Sequence, residues 1–201
     1  IDNYSVLEDA DDSIVADLDD IFSDIDILNG ASSALQTLTY SVVSNTNSGL
    51  TTPSIDAGTG VLTVSYTSDD NGSATITVRA DDGNGSTLDE SFTVTVTAVN
   101  DPVTLTSSIG NYTELEDEGV STVADLDDIF DDIDLTNGDP SALQTLSYSV
   151  VGNTNPDLAT ASIDDAGVLT VSYTTDDNGS ADITVRADDS SGSTLDESFT
   201  V

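Results

Sequence analysis

The sequence predicts an all-β fold, in which two tandem immunoglobulin-like antiparallel β-sandwich domains are arranged end to end. The first observation is internal repetition, because Val15–Phe22 recurs unchanged at Val123–Phe130 and Ser33–Val43 recurs with one substitution at Ser141–Val151. The second is that apolar and polar residues alternate in several short segments, which is the pattern of half-buried strands. Repetition from position 15 to position 123, an offset of 108 residues, indicates two copies of one domain in this 201-residue chain.

The alternating segments give the predicted strands in order. In the first repeat they are Leu38–Val42, Leu62–Tyr66, Ala74–Ala80 and Phe92–Ala98. Turns rich in Asp, Asn and Gly separate them, at Asn29-Gly30, Asp70–Gly72 and Asp82–Gly85. The segment Asp17–Phe22 predicts one helical turn, and no segment predicts a long helix. Short strands at this spacing favour an immunoglobulin-like sandwich, with a small β-barrel as the alternative.

The predicted domain boundary follows Asp101, which gives repeats at residues 1–101 and 102–201. Pro102 comes soon after the last alternating segment, and proline ends strand pairing and stiffens a junction. Each copy lacks a piece that the other has: the first has no counterpart of residues 102–108, and the second has none of residues 95–101. We therefore expect a fragment of a longer array, whose partners are neighbouring repeats.

The composition narrows the possible chemistry. The chain has 39 acidic residues against two Lys and Arg together, and a formal net charge of −37. Such a chain is a poor partner for nucleic acid or for an anionic membrane surface, and no apolar run approaches the ~18 residues of a membrane span. It contains neither Cys nor His, so zinc, copper and iron sites are not expected. What remains is hard oxygen chemistry, with Ca²⁺ the first expectation and Mg²⁺ the second.

Clusters of acidic residues stand at the predicted strand ends. Three recur or lie at the boundary: Asp24 and Asp26, matched by Asp132 and Asp134; Asp82, matched by Asp189; and Asn100 with Asp101. Two more, around Glu8 and around Asp69 and Asp70, are possible additions. Because strand ends gather at the two poles of a sandwich, these side chains can supply the 6–8 oxygens that Ca²⁺ requires.

Several of these motifs resemble those of cadherin repeats. Val78–Gly83 followed by Val96–Pro102 is similar to the end of a cadherin repeat, with its A-x-D-x-G and D-x-N-D-x-x-P signatures. Asp132-Ile133-Asp134, ahead of Leu146–Tyr148, resembles the cadherin D-x-D before a strand. The closer resemblance is to bacterial cadherin-like and dystroglycan-type repeats of large surface or secreted proteins. Segments typical of those are Phe22–Asp26, Asn71–Val78 and Val99–Pro102.

The resemblance implies calcium between consecutive domains. It assigns ligand roles to Asn100 and Asp101 in the linker, to Asp132, Asp134 and Asp189 in the following domain, and to Glu8 with Asp69 or Asp70 in the preceding one. Asp24, Asp26 and Asp82 would serve a junction with a preceding repeat, and Glu116, Asp176 and Asp177 one with a following repeat. The chain departs from the cadherin pattern, since it has no L-D-R-E, has Ala98 in place of the first linker Asp, and has Pro102 directly after Asp101. The resemblance therefore implies fewer ions per joint than a full cadherin linker holds.

The function expected from these features is that of a non-enzymatic, extracellular calcium-binding repeat module. It would form a rigidified rod in a larger cell-surface adhesin or secreted multidomain protein. Catalysis is not expected, because the chain has no His, Lys or Cys and its two Arg occupy equivalent strands. The alternative is a calcium-dependent carbohydrate-binding module with a polysaccharide ligand. Sugar platforms rely on exposed aromatic rings, whereas this chain has no Trp and its twinned Tyr and Phe residues are expected mostly in the core.

Overall fold

The computed structural model describes residues 1–25, 37–136 and 145–201. The chain divides into two compact units, which we call unit 1 (Ile1–Val99) and unit 2 (Asn100–Val201). Each unit contains two separate main sheets packed around a core of its own, so the predicted sandwich is confirmed and the β-barrel alternative is not. The boundary after Asp101 stays a sequence prediction. No helix among the described residues is long and apolar enough to cross a membrane.

The described residues of unit 1 form seven strands and one short helix. They are β1 (Tyr4–Leu7), β2 (Ser13–Asp17), α1 (Leu18–Ile21), β3 (Thr39–Asn45), β4 (Thr51–Ile55), β5 (Val61–Tyr66), β6 (Gly72–Asp81) and β7 (Thr87–Thr97). One sheet has the order β1-β7-β6-β3 and the other β2-β5-β4. β1 runs parallel to β7, with Tyr4 opposite Val94, whereas the other pairs are antiparallel.

Unit 2 repeats the two main sheets of unit 1, without a strand in the place of β1 among its described residues, and it adds a short two-stranded sheet. Its elements are β8 (Thr104–Leu105), β9 (Val120–Asp125), a 3₁₀ helix (Leu126–Asp128), β10 (Phe130–Asp131), α2 (Ile133–Thr136), β11 (Ser147–Asn153), β12 (Ala159–Ile163), β13 (Val168–Tyr173), β14 (Asp182–Asp188) and β15 (Thr194–Thr200). The two main sheets have the orders β11-β14-β15 and β12-β13-β9. The pair β8-β10 forms a separate two-stranded sheet.

The alternation in the sequence becomes the alternation of burial along the strands. From Ala74 to Ala80, every second side chain of β6 is buried, and Ile76 and Val78 are completely so. Phe92, Val94 and Val96 of the adjacent β7 face the same core. All four Phe side chains are buried and all six Tyr side chains are half-buried, so none of the ten aromatic rings is exposed. The Phe residues thus lie in the cores and the Tyr residues at their margins.

The predicted helical turn is confirmed in both repeats. In unit 1 it is α1, and the Oδ1 atom of Asp17 accepts a hydrogen bond from the amide of Asp19 at 3.1 Å. In unit 2 the same residues form the 3₁₀ helix, which Asp125 caps through the amide of Asp127. A side-chain oxygen at this position satisfies one of the amides that a helix start leaves without a partner. The turn carries the chain directly to the acidic residues that follow.

Candidate metal centre

One end of unit 2 gathers carboxylates from three parts of the chain. Asn100 and Asp101 open the unit, Asp132 and Asp134 flank the start of α2 just after β10, and Asp189 follows β14. Asp132 and Asp189 are completely buried, whereas Asp101 and Asp134 are half-buried. The structure therefore places all five residues that the sequence assigned to this side of the junction in one region of unit 2. We call this set the unit 2 cluster.

Asp189 is held as a carboxylate by hydrogen bonds. Its Oδ1 atom accepts from the amides of Ser191, Gly192 and Ser193 at 2.8, 2.9 and 2.9 Å, and its Oδ2 atom accepts from the side-chain amide of Asn100 at 2.9 Å. Burial raises the pKa of Asp189, but these hydrogen bonds outweigh it and leave the pKa below its usual value. The tight turn after β14 thus fixes a buried negative charge in place.

Asp132 is also buried, but its carboxylate accepts fewer hydrogen bonds than that of Asp189. Its Oδ1 atom accepts a hydrogen bond from the amide of Asp134 at 3.0 Å, whereas its completely buried Oδ2 atom has no hydrogen-bond partner. Burial raises the pKa of Asp132, and the charges of Asp134 and Asp189 raise it further, against the opposing effect of the Asp134 amide. A buried carboxylate beside other carboxylates is costly unless a cation offsets the charge.

Asp101 and Asp134 complete the unit 2 cluster. The amide of Asp101 donates to Oδ2 of Asp134 at 3.0 Å, and a carboxylate oxygen of each residue lies within 4.8 Å of the other. Four carboxylates and the oxygens of Asn100 match the hard, oxygen-only ligand set that Ca²⁺ prefers. The ion pairs found among the described residues use Glu90, Asp89 and Asp196 instead. The orphaned Oδ2 atom of Asp132 is thus the best evidence that these residues fit a cation.

Unit 1 has a second acidic region, which follows β1 and β5. Glu8 is buried; its Oε1 atom accepts from the amide of Val99 at 2.5 Å, and its Oε2 atom is buried without a hydrogen-bond partner. Asp9 is the next residue, and its Oδ1 atom accepts a hydrogen bond from the amide of Asp69 at 3.0 Å. A carboxylate oxygen of Asp9 lies within 4.8 Å of one of Asp69. Asp70, next to Asp69, is half-buried. We call Glu8, Asp9, Asp69 and Asp70 the unit 1 cluster.

Asp9 was not among the ligands assigned from the sequence. The signal that pointed to it was its place in Leu7-Glu8-Asp9, but adjacent acids do not show which of them turns toward Asp69. Both Asp9 and Asp69 have left-handed backbones, with φ of 60° and 57°. The arrangement recurs in unit 2, where Asp117 and Asp176 have φ of 71° and 58° and the Asp176 amide donates to Asp117 Oδ1 at 2.9 Å. Repetition shows that this paired turn is a regular feature of the repeat.

The acids assigned to junctions with further repeats, where the structure describes them, are less buried than Asp132 and Asp189. Asp24 and Asp82, the counterparts of Asp132 and Asp189, are half-buried, and Asp26 lies outside the described residues. Asp82 accepts from the amides of Ser86 and Asn84 at 3.0 and 2.8 Å, and these bonds hold its pKa below the usual value. Glu116, the counterpart of Glu8, is exposed.

Comparison with known proteins identifies the fold. No family model matches the chain, and no curated protein sequence matches it. The crystal structure of human CDH23 EC21-23 is similar over 98% of this chain, with a TM-score of 0.59 and 16% identity, and this chain spans 65% of the length of that one. At this identity the likeness shows a cadherin-like fold and nothing finer.

Two further solved structures are similar at lower TM-scores. Mouse cadherin-23 EC22-24 matches 81% of this chain and 52% of its own, with a TM-score of 0.47 and 15% identity. The endo-fucoidan hydrolase MfFcnA4 from glycoside hydrolase family 107 matches 83% of this chain and 23% of its own, with a TM-score of 0.36 and 18% identity.

Proposed function

We propose that this chain is a calcium-binding repeat module of a larger extracellular protein, either a cell-surface adhesin or a secreted multidomain protein. In this proposal the bound ions stiffen the joint between consecutive repeats, so that an array of repeats acts as a rod. The partners are the neighbouring repeats, and no catalytic role is included. The cadherin-like fold supports the adhesion-type module, and the acidic clusters support the ion.

A single observation carries the proposal: Asp132 is completely buried and its Oδ2 atom has no hydrogen-bond partner. A solubilising aspartate remains in water, where its charge is hydrated. A buried carboxylate that faces Asp134 and Asp189 instead needs a compensating cation. Both Arg of this chain are bonded to a cross-strand aspartate, so the proposal takes that cation from solution.

The proposal assigns the unit 2 cluster as the central ligands and extends the site across the repeat boundary, as the linker resemblance implies. Asn100, Asp101, Asp132, Asp134 and Asp189 supply one side, and Glu8 with Asp69 or Asp70 supplies the other. Asp24, Asp26 and Asp82 serve the equivalent junction with a preceding repeat. An extracellular location fits such a site, because extracellular calcium modules bind with Kd on the order of 10⁻⁴–10⁻³ M.

Calcium would act on this chain mainly by offsetting repulsion. Without the ion, carboxylates crowd each acidic cluster and oppose the aligned state. An ion that binds only that state stabilises it by about 2.7 kcal/mol when its concentration is ~100 times Kd. This is a sizeable fraction of the roughly 5–15 kcal/mol by which a typical domain is stable.

Calorimetric calcium titration of the 201-residue chain and its Asp132→Asn variant tests the site. We expect saturable binding by the parent chain and a Kd raised about tenfold or more by the substitution, since it removes a ligand charge while keeping the shape. Asp157→Asn is the matched control, because it removes the same charge at an exposed position outside the cluster. Equal binding by all three proteins would contradict the assignment.

Thermal unfolding in chelator separates a lost ligand from a damaged fold. Without calcium, Asp132→Asn should unfold at the same temperature as the parent chain or higher, because it removes a buried charge that lacks compensation. If the variant loses both calcium affinity and stability in chelator, Asp132 is a structural residue, and the metal assignment fails.

A further inference from the structure

We propose that the outer edge of β12 in unit 2 is a docking site for an extended, basic segment of another polypeptide. The segment adds to the sheet β12-β13-β9 as a further strand, through backbone hydrogen bonds to Ala161 and Ile163. β12 contains no residue of the acidic clusters, so docking at this edge is independent of the proposed metal sites.

The backbone groups that face outward from β12 follow from the hydrogen bonds of Ala159. β12 stands at the end of its sheet and pairs with β13. The amide of Ala159 donates to the carbonyl of Asn155 at 3.2 Å, and its carbonyl accepts from the side-chain amide of Asn153 at 2.7 Å, so both groups point away from β13. Because this direction alternates along a strand, the amides and carbonyls of Ala161 and Ile163 also point outward.

The outward groups of Ala161 and Ile163 are open. Among the residues that the structure describes, no strand pairs with β12 on its outer side, and neither a loop nor a side chain bonds to these two amides. The side chains of Ala161 and Ile163 are half-buried, whereas Thr160 and Ser162 are exposed. A row of unpaired amides and carbonyls beside partly covered apolar side chains is a template on which another strand can add.

Other edge strands of the two units carry features that block strand addition. β2, β3, β9 and β11 each have a shift of register against their partner, which is the mark of a bulge. β4 has Pro53 at the position of Ala161, and proline has no amide to donate. β12 instead keeps a continuous register and reads Ala-Thr-Ala-Ser-Ile, without proline or charge. Bulges, proline and charge protect sheet edges in natural proteins, so β12 lacks this protection.

The acidic residues around β12 indicate a basic partner. Asp157 precedes the strand, Asp164 and Asp165 follow it, and all three are exposed. A second copy of this chain has a net charge of −37, and both of its Arg are bonded to aspartates, so it would be repelled. A segment with lysine or arginine near its two ends is attracted to these aspartates, while its backbone pairs with the neutral strand between them.

Binding of a synthetic peptide to the 201-residue chain tests the proposal. The probe alternates valine and lysine over about seven residues, a length that covers β12 and one residue on either side. The control peptide has the same sequence with its internal amides N-methylated, which removes the backbone donors and keeps the charge. Affinity and hydrogen exchange are measured at one fixed calcium concentration and about 0.15 M salt, which screens exposed acids elsewhere on the chain.

Ala161→Pro is the matched variant of the chain. It removes the outward amide at the centre of β12, and Pro53 occupies the equivalent position of β4, so the strand accommodates the ring. Thermal unfolding without peptide shows whether the variant keeps the stability of the parent chain. If it does not, the comparison of the two peptides on the parent chain decides alone.

We expect the probe to slow exchange of the Ala161 and Ile163 amides by about tenfold or more, and Ala161→Pro to raise its Kd by about tenfold or more. The N-methylated peptide should bind the parent chain at least as weakly. Equal binding of the two peptides, or of the probe to the parent chain and a stable Ala161→Pro variant, would overturn the proposal. Protection of both amides without peptide, together with dimerisation in light scattering, would also overturn it, because a second copy would then occupy the edge.

Discussion

At the scale of single residues, burial separates a few of the proposed calcium ligands from the exposed acids of the surface. Asp189 is buried and satisfied by four hydrogen bonds, whereas Asp132 and Glu8 are buried with one oxygen left over. The resemblance to cadherin repeats implies a ligand role for all three. The number of hydrogen bonds that each carboxylate accepts could not be predicted, because it depends on which backbone amides the following turn directs toward it.

Gly60 lies in a crowded part of unit 1, beside Tyr40 and Asp19. It has φ of +69°, and a Cβ atom there would meet Tyr40 Cε2 at 3.3 Å and Asp19 at 3.4 Å. Tyr40 also donates to Asp19 Oδ1 at 2.7 Å, so neither group can move freely. We expect Gly60→Ala to destabilise unit 1 by more than the roughly 1–2 kcal/mol that a left-handed backbone costs a non-glycine residue.

Gly83→Ala is the matched control in thermal or denaturant unfolding. Gly83 has φ of +71°, but a Cβ atom there would meet nothing within 4 Å. The difference between the two variants therefore isolates the steric contact from the backbone cost. Equal losses of stability would show that the contact with Tyr40 and Asp19 is relieved without cost.

At the scale of elements, the hairpins β6–β7 and β14–β15 each carry one cross-strand ion pair. Arg79 lies opposite Asp89, and its Nε and Nη2 atoms donate to the two carboxylate oxygens at 2.6 and 2.8 Å. Arg186 and Asp196 repeat the geometry with the same distances. The sequence placed both Arg in equivalent strands, but the pairing depends on the register of each hairpin.

Arg79→Gln should raise the pKa of Asp89 toward the ordinary value of about 3.9, because the hydrogen bonds and charge of Arg79 hold it lower. A lowered pKa in the folded state contributes stability above the unfolded-state pKa, and this is lost as the pH falls through the folded value. Carboxyl NMR titration measures the shift. Asp196 serves as an internal control within the same chain, and a parallel shift of both residues would contradict a local cause.

The strands that could be predicted are those with one face in the core. β3, β5, β6 and β7 follow the alternating segments, since period-two burial is visible in the residues themselves. β1 and β8 could not be predicted, because four and two residues carry too little pattern and each exists through a distant partner, β7 or β10. The same limit applied to Asp9, whose contact with Asp69 joins residues 60 positions apart.

At the scale of the whole molecule, charge is the dominant feature. A net charge of −37 on 201 residues opposes compaction, and both Arg are already bonded to aspartates. Monovalent salt screens exposed charges over a Debye length of about 8 Å at 0.15 M, but it screens buried carboxylates much less. We therefore expect bound divalent ions to neutralise the buried acids, whereas dissolved salt screens the charges of the exposed acids. Composition predicts oxygen ligands for a hard cation, and only burial distinguishes these two kinds of acid.

The most direct test of the central claim is small-angle X-ray scattering of the 201-residue chain, with calcium titrated into a chelated sample in 0.15 M NaCl. The proposed joint predicts a saturable change to a more extended and more uniform particle. Asp101→Ala should weaken that change, and Asp157→Asn should leave it intact. Superimposable scattering curves in calcium and in chelator would contradict a calcium-stiffened joint and leave the chain a passive spacer.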